Sequence, residues 1–471
     1  MRKRTLLLAA TLTTGLLTAL PASASAAPSG LSGDFNGDGF RDVAIGVPEG
    51  VTSPVYGGYV AVVYGTAAGI DPAKRKVITQ NSAGVPGSAE GDDYFGRTLA
   101  TADFDKDGYA DLAVGAPGED LGDDTDMGSI TILWGGAAGI GGGTTVDIPL
   151  PVYDTVGIGS ELAAGDFDGD GNADIATNLP ATTIQVARGP FTRDGGAGAP
   201  TSVTVPAETG AHVRNLTAGD VTGDGAADLV IQARKEDEGQ SLAWLYTGGA
   251  DGLKQAAGLP DSDIAAVGDT NKDGYADIAL GDSYETTALG GRVSVLQGSA
   301  SGISTAGFSF HQATSGVPGT AESGDGFGGA LAIGDTDGDG YGDVAVGAPG
   351  EDVDGKADAG ALTVLRGSAS GVTATGAKSW TQDSSGVPGS VEKGDRFGSA
   401  VRLSDTTKDG RADLAVSAVG EAAPGESVRS GAVWRLLGAS TGLTGAGSLA
   451  ISPDEVGRSW DDETFGAALG G

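Results

Sequence analysis

The sequence contains no cysteine and only two histidines among its 471 residues. The absence of cysteine excludes disulfide bonds and thiolate metal sites, and a chain of this length can bury a large core without such cross-links. Aromatic residues make up only 6% of the chain, whereas glycine occurs 85 times. Because the apolar residues are mostly Ala, Val, Leu and Ile, we expect tightly packed strands joined by turns.

Positive charge is also scarce, since 28 lysines and arginines stand against 63 aspartates and glutamates, for a net charge of −35. A surface this acidic repels phosphate groups, so we expect no nucleic-acid partner. Beyond the N-terminal region, no stretch is apolar over the ~20 residues that a membrane helix needs. We therefore expect a monomer without a transmembrane segment.

The N-terminus has the pattern of a secretory signal peptide. Basic residues at 2–4 precede an apolar run from Leu6 to Leu20, and Ala24-Ser25-Ala26 resembles a cleavage site. A membrane anchor is the alternative, but the apolar run is short for a span. We therefore predict a signal peptide at residues 1–26 and a secreted, extracellular domain at residues 27–471.

An acidic nine-residue segment recurs seven times, about 50 to 70 residues apart, and an apolar run of strand length follows most copies. Two further strands and a Phe-Gly strand complete each unit, which reads as strand, acidic loop, strand, hairpin, strand, strand. The seven segments are DFNGDGFRD (34–42), DFDKDGYAD (103–111), DFDGDGNAD (166–174), DVTGDGAAD (220–228), DTNKDGYAD (269–277), DTDGDGYGD (335–343) and DTTKDGRAD (405–413).

Seven such units predict an all-β fold, a seven-bladed β-propeller of four-stranded blades. A single four-stranded sheet cannot bury both faces, whereas seven sheets arranged radially bury them against one another. An open solenoid is the alternative, and it needs special terminal caps. The segment Phe465 to Leu469 looks like the Phe-Gly strand that the first unit lacks. We therefore expect the C-terminal strand to complete the first blade, which closes the ring and removes two sheet edges.

The acidic loops have the ligand pattern of an oxygen-only metal site. Positions 1, 3, 5 and 9 offer side-chain oxygens, position 7 offers its backbone carbonyl, and position 6 is glycine in every copy. Ca²⁺ binds 6–8 oxygens in flexible geometry, and nothing in the pattern favours zinc or copper. The predicted ligands are Asp34, Asn36, Asp38, Phe40 and Asp42; Asp103, Asp105, Asp107, Tyr109 and Asp111; Asp166, Asp168, Asp170, Asn172 and Asp174; Asp220, Thr222, Asp224, Ala226 and Asp228; Asp269, Asn271, Asp273, Tyr275 and Asp277; Asp335, Asp337, Asp339, Tyr341 and Asp343; Asp405, Thr407, Asp409, Arg411 and Asp413.

The loops predict up to seven Ca²⁺ ions of unequal affinity. Loops 2, 3 and 6 carry four carboxylates, and loops 1 and 5 carry three with Asn at position 3. Loops 4 and 7 have Thr222 and Thr407 there, so we expect weaker or empty sites in these two. The pattern differs from an EF-hand, because position 12 lies inside the following strand, as Ile45 and Val346 do.

Together these residues resemble the FG-GAP repeat family, which includes the N-terminal β-propeller of integrin α subunits. The matching motifs are Phe95-Gly96 with Gly115-Ala116-Pro117, and Phe327-Gly328 with Gly347-Ala348-Pro349, each flanking an acidic loop. The resemblance implies a seven-bladed propeller with loop ions on one face and a role in adhesion. Blades 3, 4 and 5 depart from it, since they lack a clear Phe-Gly and Gly-Ala-Pro.

We find no pattern of catalytic residues and expect a protein that is not an enzyme. No HExxH or Walker sequence occurs, and His212 and His311 are predicted to be packing or surface residues. The leading hypothesis is a secreted, calcium-binding propeller that acts as a protein-interaction or cell-surface adhesion module. A lectin-like propeller that binds glycans is the first alternative, although the tryptophans are irregularly spaced and Trp134 and Trp434 suit a core. A polysaccharide-active enzyme is the second alternative.

Overall fold

The protein was analysed as a computed structural model, which describes residues 28–51, 55–122, 124–149, 157–180, 182–206, 210–235, 238–284, 289–304, 307–422, 428–459 and 464–471. The predicted signal peptide at residues 1–26 lies outside these ranges. Within them, no helix has both the length and the apolar character needed to cross a membrane.

The described residues form seven four-stranded antiparallel sheets and one short 3₁₀ helix, Asp454–Val456. Blade 1 combines β28 with β1 to β3, and each later blade uses four consecutive strands. The strands are β1 Val43–Val47, β2 Tyr59–Val63, β3 Arg75–Ile78, β4 Leu99–Ala102, β5 Asp111–Ala116, β6 Ser129–Leu133, β7 Gly143–Thr145, β8 Leu162–Gly165, β9 Asp174–Leu179, β10 Thr183–Ala187, β11 Thr201–Thr204, β12 Ala211–Gly219, β13 Asp228–Lys235, β14 Gln240–Thr247, β15 Lys254–Leu259, β16 Ile264–Gly268, β17 Asp277–Asp282, β18 Arg292–Leu296, β19 Gly307–Phe310, β20 Ala330–Gly334, β21 Asp343–Ala348, β22 Ala361–Arg366, β23 Thr373–Trp380, β24 Phe397–Ser404, β25 Asp413–Ala418, β26 Ala432–Leu437, β27 Thr444–Ile451 and β28 Ala468–Gly470.

The C-terminal strand closes the ring, as the sequence predicted. β28 pairs antiparallel with β1, and Ile45 lies opposite Leu469. The first strands of the blades contact one another in turn, and β28 contacts both β24 and β4. The ring is therefore closed by non-covalent pairing of the two ends of the domain, and β1 has a partner strand on both sides.

The core is divided among the junctions between blades. The seven apolar clusters of the described residues each combine side chains of two neighbouring blades. The second strand of each blade is the most buried; β5, β21 and β25, for example, are buried at every position. Each sheet thus buries both faces against its neighbours, which explains why strands with small apolar residues on both sides suit this fold.

The Phe-Gly residues stand at the entry to the first strand of a blade. The side chains of Phe95, Phe327, Phe397 and Phe465 are fully buried between blades. Blade 3 lacks this phenylalanine, and Ile158 takes its place there: Gly128 bridges Ile158 as Gly360 bridges Phe397. The departure in sequence therefore leaves the backbone arrangement at this junction unchanged.

Candidate metal centres

The acidic loops connect the first and second strands of blades 2 to 7, and loop 1 leads into β1, the second strand of blade 1; all seven lie side by side along one rim of the propeller. Backbone hydrogen bonds join five of the seven neighbouring pairs of loops directly, because the N–H of position 8 donates to the carbonyl oxygen of position 1 in the preceding loop. Ala110 donates to Asp34 at 3.1 Å, for example, and Ala412 donates to Asp335 at 2.7 Å. The loops therefore lie against one another, which brings many carboxylates to one end of the molecule.

The first aspartate of each loop organises the turn. In loop 6, the carboxylate of Asp335 accepts the N–H groups of Gly338 at 2.7 Å and Gly340 at 2.7 Å. Equivalent bonds to Asp34, Asp103, Asp166, Asp220, Asp269 and Asp405 form in the other six loops.

The position 6 glycine has the predicted left-handed backbone in all seven loops, with φ between 84° and 93°. Position 4 also has positive φ, and three loops place a lysine there instead of glycine, namely Lys106, Lys272 and Lys408. The ammonium group of Lys272 reaches the neighbouring loop 6 and donates to the carbonyl oxygen of Asp339 at 3.2 Å. The sequence analysis did not assign a role to this position.

The aspartate at position 9 is buried and holds the blade together. Asp42 accepts the N–H of Phe35 at 2.9 Å through one oxygen and the N–H of Gly65, after the third strand, at 2.8 Å through the other. The same pair of bonds occurs at the ninth position of every loop, which comprises Asp42, Asp111, Asp174, Asp228, Asp277, Asp343 and Asp413. Burial raises the pKa of Asp42 to about 8 and that of Asp111 to about 7.

Three loops bring three carboxylates close enough to share one ion. In each of these sets, one oxygen from each residue lies within 4.8 Å of the other two. The sets are Asp103, Asp105 and Asp111 in loop 2, Asp166, Asp168 and Asp170 in loop 3, and Asp335, Asp337 and Asp339 in loop 6. These are the three loops that the sequence singles out by their four carboxylates.

Loop 4, whose third position is a threonine, contains an unpartnered oxygen. The Thr222 hydroxyl is buried and has no hydrogen-bond partner among the described residues. In loop 7 the Thr407 hydroxyl instead contacts the carboxylate of Asp405 at 3.4 Å. The donor sets of all seven loops consist of oxygen atoms and therefore fit a hard cation.

Arginines supply positive charge to the same three acidic loops. Arg188 pairs with Asp168 in loop 3, and Arg366 pairs with Asp337 and, at 2.7 Å, with Asp343 in loop 6. Both arginines lie just before the glycine that ends the third strand. In loop 2, Arg193 of the following blade pairs with Asp105 at 2.7 Å and with Asp107 at 2.6 Å. These counter-charges were not predicted from the sequence, although the strand-end motif Arg-Gly in blades 3 and 6 is a visible signal.

The remaining sequence-predicted residues lie away from the loops. Trp134 and Trp434 are buried, as predicted, and their exposed fractions are 4% and 1%; Trp460 lies outside the described residues. His212 is exposed and His311 is partly buried. The sequence Lys393-Gly394-Asp395 resembles a cell-adhesion tripeptide, but Asp395 is 1% exposed and does not present its carboxylate for adhesion.

Comparison with known proteins supports the fold. Residues 26–63, 95–133 and 327–365 match the FG-GAP repeat. A structure of a protein from Lactobacillus plantarum covers 91% of this chain at a TM-score of 0.48 and 12% identity, a similarity too remote to carry an argument.

Curated relatives match parts of the chain. The phosphatidylinositol-glycan-specific phospholipase D of Rattus norvegicus is 35% identical over 152 residues, which cover 32% of this chain and 18% of that protein. Integrin alpha-PS2 of Drosophila melanogaster is 33% identical over 156 residues, 32% of this chain and 10% of that protein.

Integrin alpha pat-2 of Caenorhabditis briggsae is 31% identical over 224 residues, which cover 42% of this chain and 18% of that protein. The chain thus spans less than a fifth of the length of these relatives, and the partial match to the phospholipase does not decide whether this protein is an enzyme. The chain contains FG-GAP repeats within a seven-bladed β-propeller and is similar to integrin α chains over part of its length.

Proposed function

We propose that this protein is a secreted, Ca²⁺-stabilised β-propeller that acts as a binding module for a protein or a glycan at the cell surface. The observation that carries the proposal is the set of seven oxygen-lined loops on one rim, five neighbouring pairs of which are joined by a backbone hydrogen bond. The partial similarity to integrin α chains supports a binding role rather than a catalytic one.

The ligands of each ion would be the residues at positions 1, 3, 5 and 9 together with the carbonyl oxygen of position 7. In loop 6 these are Asp335, Asp337, Asp339, Tyr341 and Asp343. A bound cation would supply the charge that offsets repulsion among the carboxylates, and it would lock the turn that joins the first two strands of a blade. Loops 4 and 7 are proposed to bind more weakly than loops 2, 3 and 6.

The arginines modify this proposal for the most acidic loops. Arg188, Arg193 and Arg366 already offset part of the charge in loops 3, 2 and 6, and a cation would have to displace or share their partners. Carboxylate number alone therefore does not fix the order of affinities. An ion-free loop 6 still has a counter-charge, whereas no such arginine pair is found in the described part of loop 1.

A Ca²⁺ titration of the purified domain tests the metal part of the proposal. We expect several ions to bind per chain, and chelation to lower the melting temperature by more than a change in ionic strength does. The matched variants are Asp339→Asn in loop 6 and Asp224→Asn in loop 4, and the first should remove the tighter site. Equal melting with and without chelator would remove the metal argument.

A binding screen tests the proposed role as a binding module. The Ca²⁺-loaded protein would be applied to arrays of extracellular matrix proteins and of glycans, with chelator-treated protein as the control. Binding to defined proteins that chelator abolishes supports the adhesion module, and binding to a glycan class supports the lectin-like alternative. Turnover of a polysaccharide by the pure protein would contradict the proposal.

A further inference from the structure

A second set of buried carboxylates repeats on the end of the propeller opposite the acidic loops. It occurs at three junctions between blades and combines three elements. A glutamine follows the last strand of one blade, an aspartate lies in the linking loop, and a glutamate begins the hairpin between the second and third strands of the next blade. The sets are Gln80, Asp93 and Glu119 at junction 1–2, Gln312, Asp325 and Glu351 at junction 5–6, and Gln382, Asp395 and Glu421 at junction 6–7.

In each glutamine the amide nitrogen has a hydrogen-bond partner and the amide oxygen has none. The Nε2 group donates to the glutamate carboxylate at all three junctions, at 2.6 Å between Gln382 and Glu421. The Oε1 atoms of Gln80, Gln312 and Gln382 are buried and have no hydrogen-bond partner among the described residues. With the glutamate ionised, the opposite amide orientation would place Oε1 against a carboxylate oxygen, so this hydrogen-bond network assigns the unpartnered atom as the carbonyl oxygen.

These glutamines are almost fully enclosed, with exposed fractions of 3%, 5% and 1%. A buried carbonyl oxygen without a partner costs about 1–3 kcal/mol. The same cost recurs at three places in one chain, in a motif that is not part of the acidic loops. Where space for an ion lies beside it, such an unsatisfied oxygen indicates a ligand that donates to it or coordinates it.

The oxygens converge at junction 5–6. A Cβ atom placed on Gly290 would lie 2.8 Å from Oε1 of Gln312, 2.8 Å from the carbonyl oxygen of Glu322 and 2.9 Å from Oδ2 of Asp325. Three oxygens of different residues thus face one small space beside a residue that has no side chain. The equivalent residue at junction 1–2 is Gly57. A Cβ atom placed on it would lie 2.7 Å from the carbonyl oxygen of Glu90, but the next nearest atoms are Cβ of Ala89 at 3.2 Å and the amide nitrogen of Glu90 at 3.4 Å, so the three-oxygen convergence is seen at junction 5–6.

The carboxylates at these junctions lie in a strongly desolvated environment. Burial raises the pKa of Glu119 and of Glu351 to about 7, and that of Asp93 and of Asp325 to about 6. Neighbouring carboxylates, including Asp120 and Asp352, act in the same direction. Burying this much negative charge is costly unless a positive charge compensates it.

We propose that junctions 1–2 and 5–6 each bind a divalent cation of the Ca²⁺ type through the glutamine Oε1, the buried aspartate, the glutamate and the backbone carbonyl oxygen beside them. Such an ion would tie the outer strand of one blade to the linking loop and hairpin of the next. It would stabilise a junction between blades, whereas an ion in an acidic loop stabilises a turn within a blade.

Junction 6–7 is a natural control within the same chain, because it already contains a positive charge. Arg429 donates to the carbonyl oxygens of Gly394 at 2.5 Å and Gly420 at 2.9 Å, next to Asp395 and Glu421. The residue after the glutamate is alanine here, whereas it is aspartate at the other two junctions. The residue equivalent to Gly290 is Ala359, whose carbonyl oxygen likewise accepts the N–H of the blade's phenylalanine. We expect no ion at this junction.

Crystals of the full chain grown with Ca²⁺, and with Tb³⁺ as a stronger anomalous scatterer, provide the test. We expect anomalous peaks beside Gln80 and Gln312 and none beside Gln382, whatever the occupancy of the acidic loops. Peaks in the acidic loops alone would overturn this inference and leave the proposed function intact. Peaks at the junctions together with empty acidic loops would support this inference and contradict the proposed ions of the acidic loops.

Matched variants test the same point in solution by flow dialysis of Ca²⁺. Glu351→Gln should bind one ion fewer per chain than the unmodified protein, and Glu421→Gln should bind the same number. An unchanged number for a folded Glu351→Gln protein would overturn the proposal. If that variant does not fold, the anomalous maps of the unmodified protein still decide the question.

Discussion

Replacing Arg366 tests whether an arginine and a metal ion neutralise the same carboxylates in loop 6. Blade 5 offers a natural reference, because it has Gln297 at the equivalent strand end and Asn271 at position 3 of its loop. The variants are therefore Arg366→Gln, Asp337→Asn and the double variant, which together convert the pair in loop 6 into the pair found in blade 5.

The expected magnitude follows from the contacts of Arg366. Its Nη1 atom lies 2.7 Å from Oδ2 of Asp343, and its side chain is 18% exposed against 1% for Asp343. Two unit charges 4 Å apart attract by about 4 kcal/mol at an effective dielectric constant of 20. Removing one partner of a buried pair costs about 3–5 kcal/mol, and because Arg366 keeps some contact with water we expect about 2–4 kcal/mol for Arg366→Gln without metal.

The double variant should recover part of this loss, because Asp337→Asn removes one of the carboxylates that the arginine neutralises. We expect a coupling free energy of at least about 1 kcal/mol between the two positions. Added Ca²⁺ should shrink the effect of Arg366→Gln, since the ion replaces the lost charge, and this variant should bind Ca²⁺ about tenfold more tightly at this loop, about 1.4 kcal/mol.

Urea unfolding followed by tryptophan fluorescence measures these differences, with chelator and with Ca²⁺. The experiment is run at pH 8, where Asp343 is ionised, because burial raises its pKa only to about 6. Lys356→Gln at an exposed site changes the net charge by the same amount and serves as the control. If Arg366→Gln is as stable as the unmodified protein in chelator, or if the coupling is zero, the argument for a shared counter-charge is wrong.

Three further predictions concern other parts of the molecule. Phe465→Ala should lower the free energy of unfolding by about 3–5 kcal/mol, because it empties a fully buried site at the closing junction; Leu121→Ala, at an exposed site, is the control for this calorimetric comparison, and equal losses would contradict the closure argument. Burial raises the pKa of Glu161 to about 8 against the opposing effect of Arg97 and Arg214. The protonated form therefore stabilises the fold below about pH 4.5, and this contribution is lost as the pH rises through 8. Glu161→Gln should flatten the decline in the free energy of unfolding between pH 5 and pH 9 by about 1–3 kcal/mol. Parallel curves of the free energy of unfolding against pH for the two proteins would refute this. Secreted protein should begin near Ala27 when its N-terminus is sequenced, and an intact N-terminus would contradict the signal peptide.

Much of the fold could be predicted from the sequence, because the repeats carry local information. Seven acidic turns in phase with strand-length apolar runs specify seven similar sheets, and a sheet that is apolar on both faces requires neighbours on both sides. The position 6 glycines follow from turn geometry. The incomplete first unit, together with the Phe-Gly near the C-terminus, was sufficient to predict the pairing of β28 with β1.

The sequence by itself determined the blade number, the loop positions and the oxygen chemistry of the loops, because each depends on residues close together in the chain. Only the tertiary structure decided which charges meet. Arg193 reaches Asp105 from another blade, and Gln312 meets Glu351 across a junction, each pair far apart in sequence. The buried role of the ninth aspartate also depends on a glycine at the end of a later strand. Such contacts arise from the packing of blades against one another, and no local pattern encodes them.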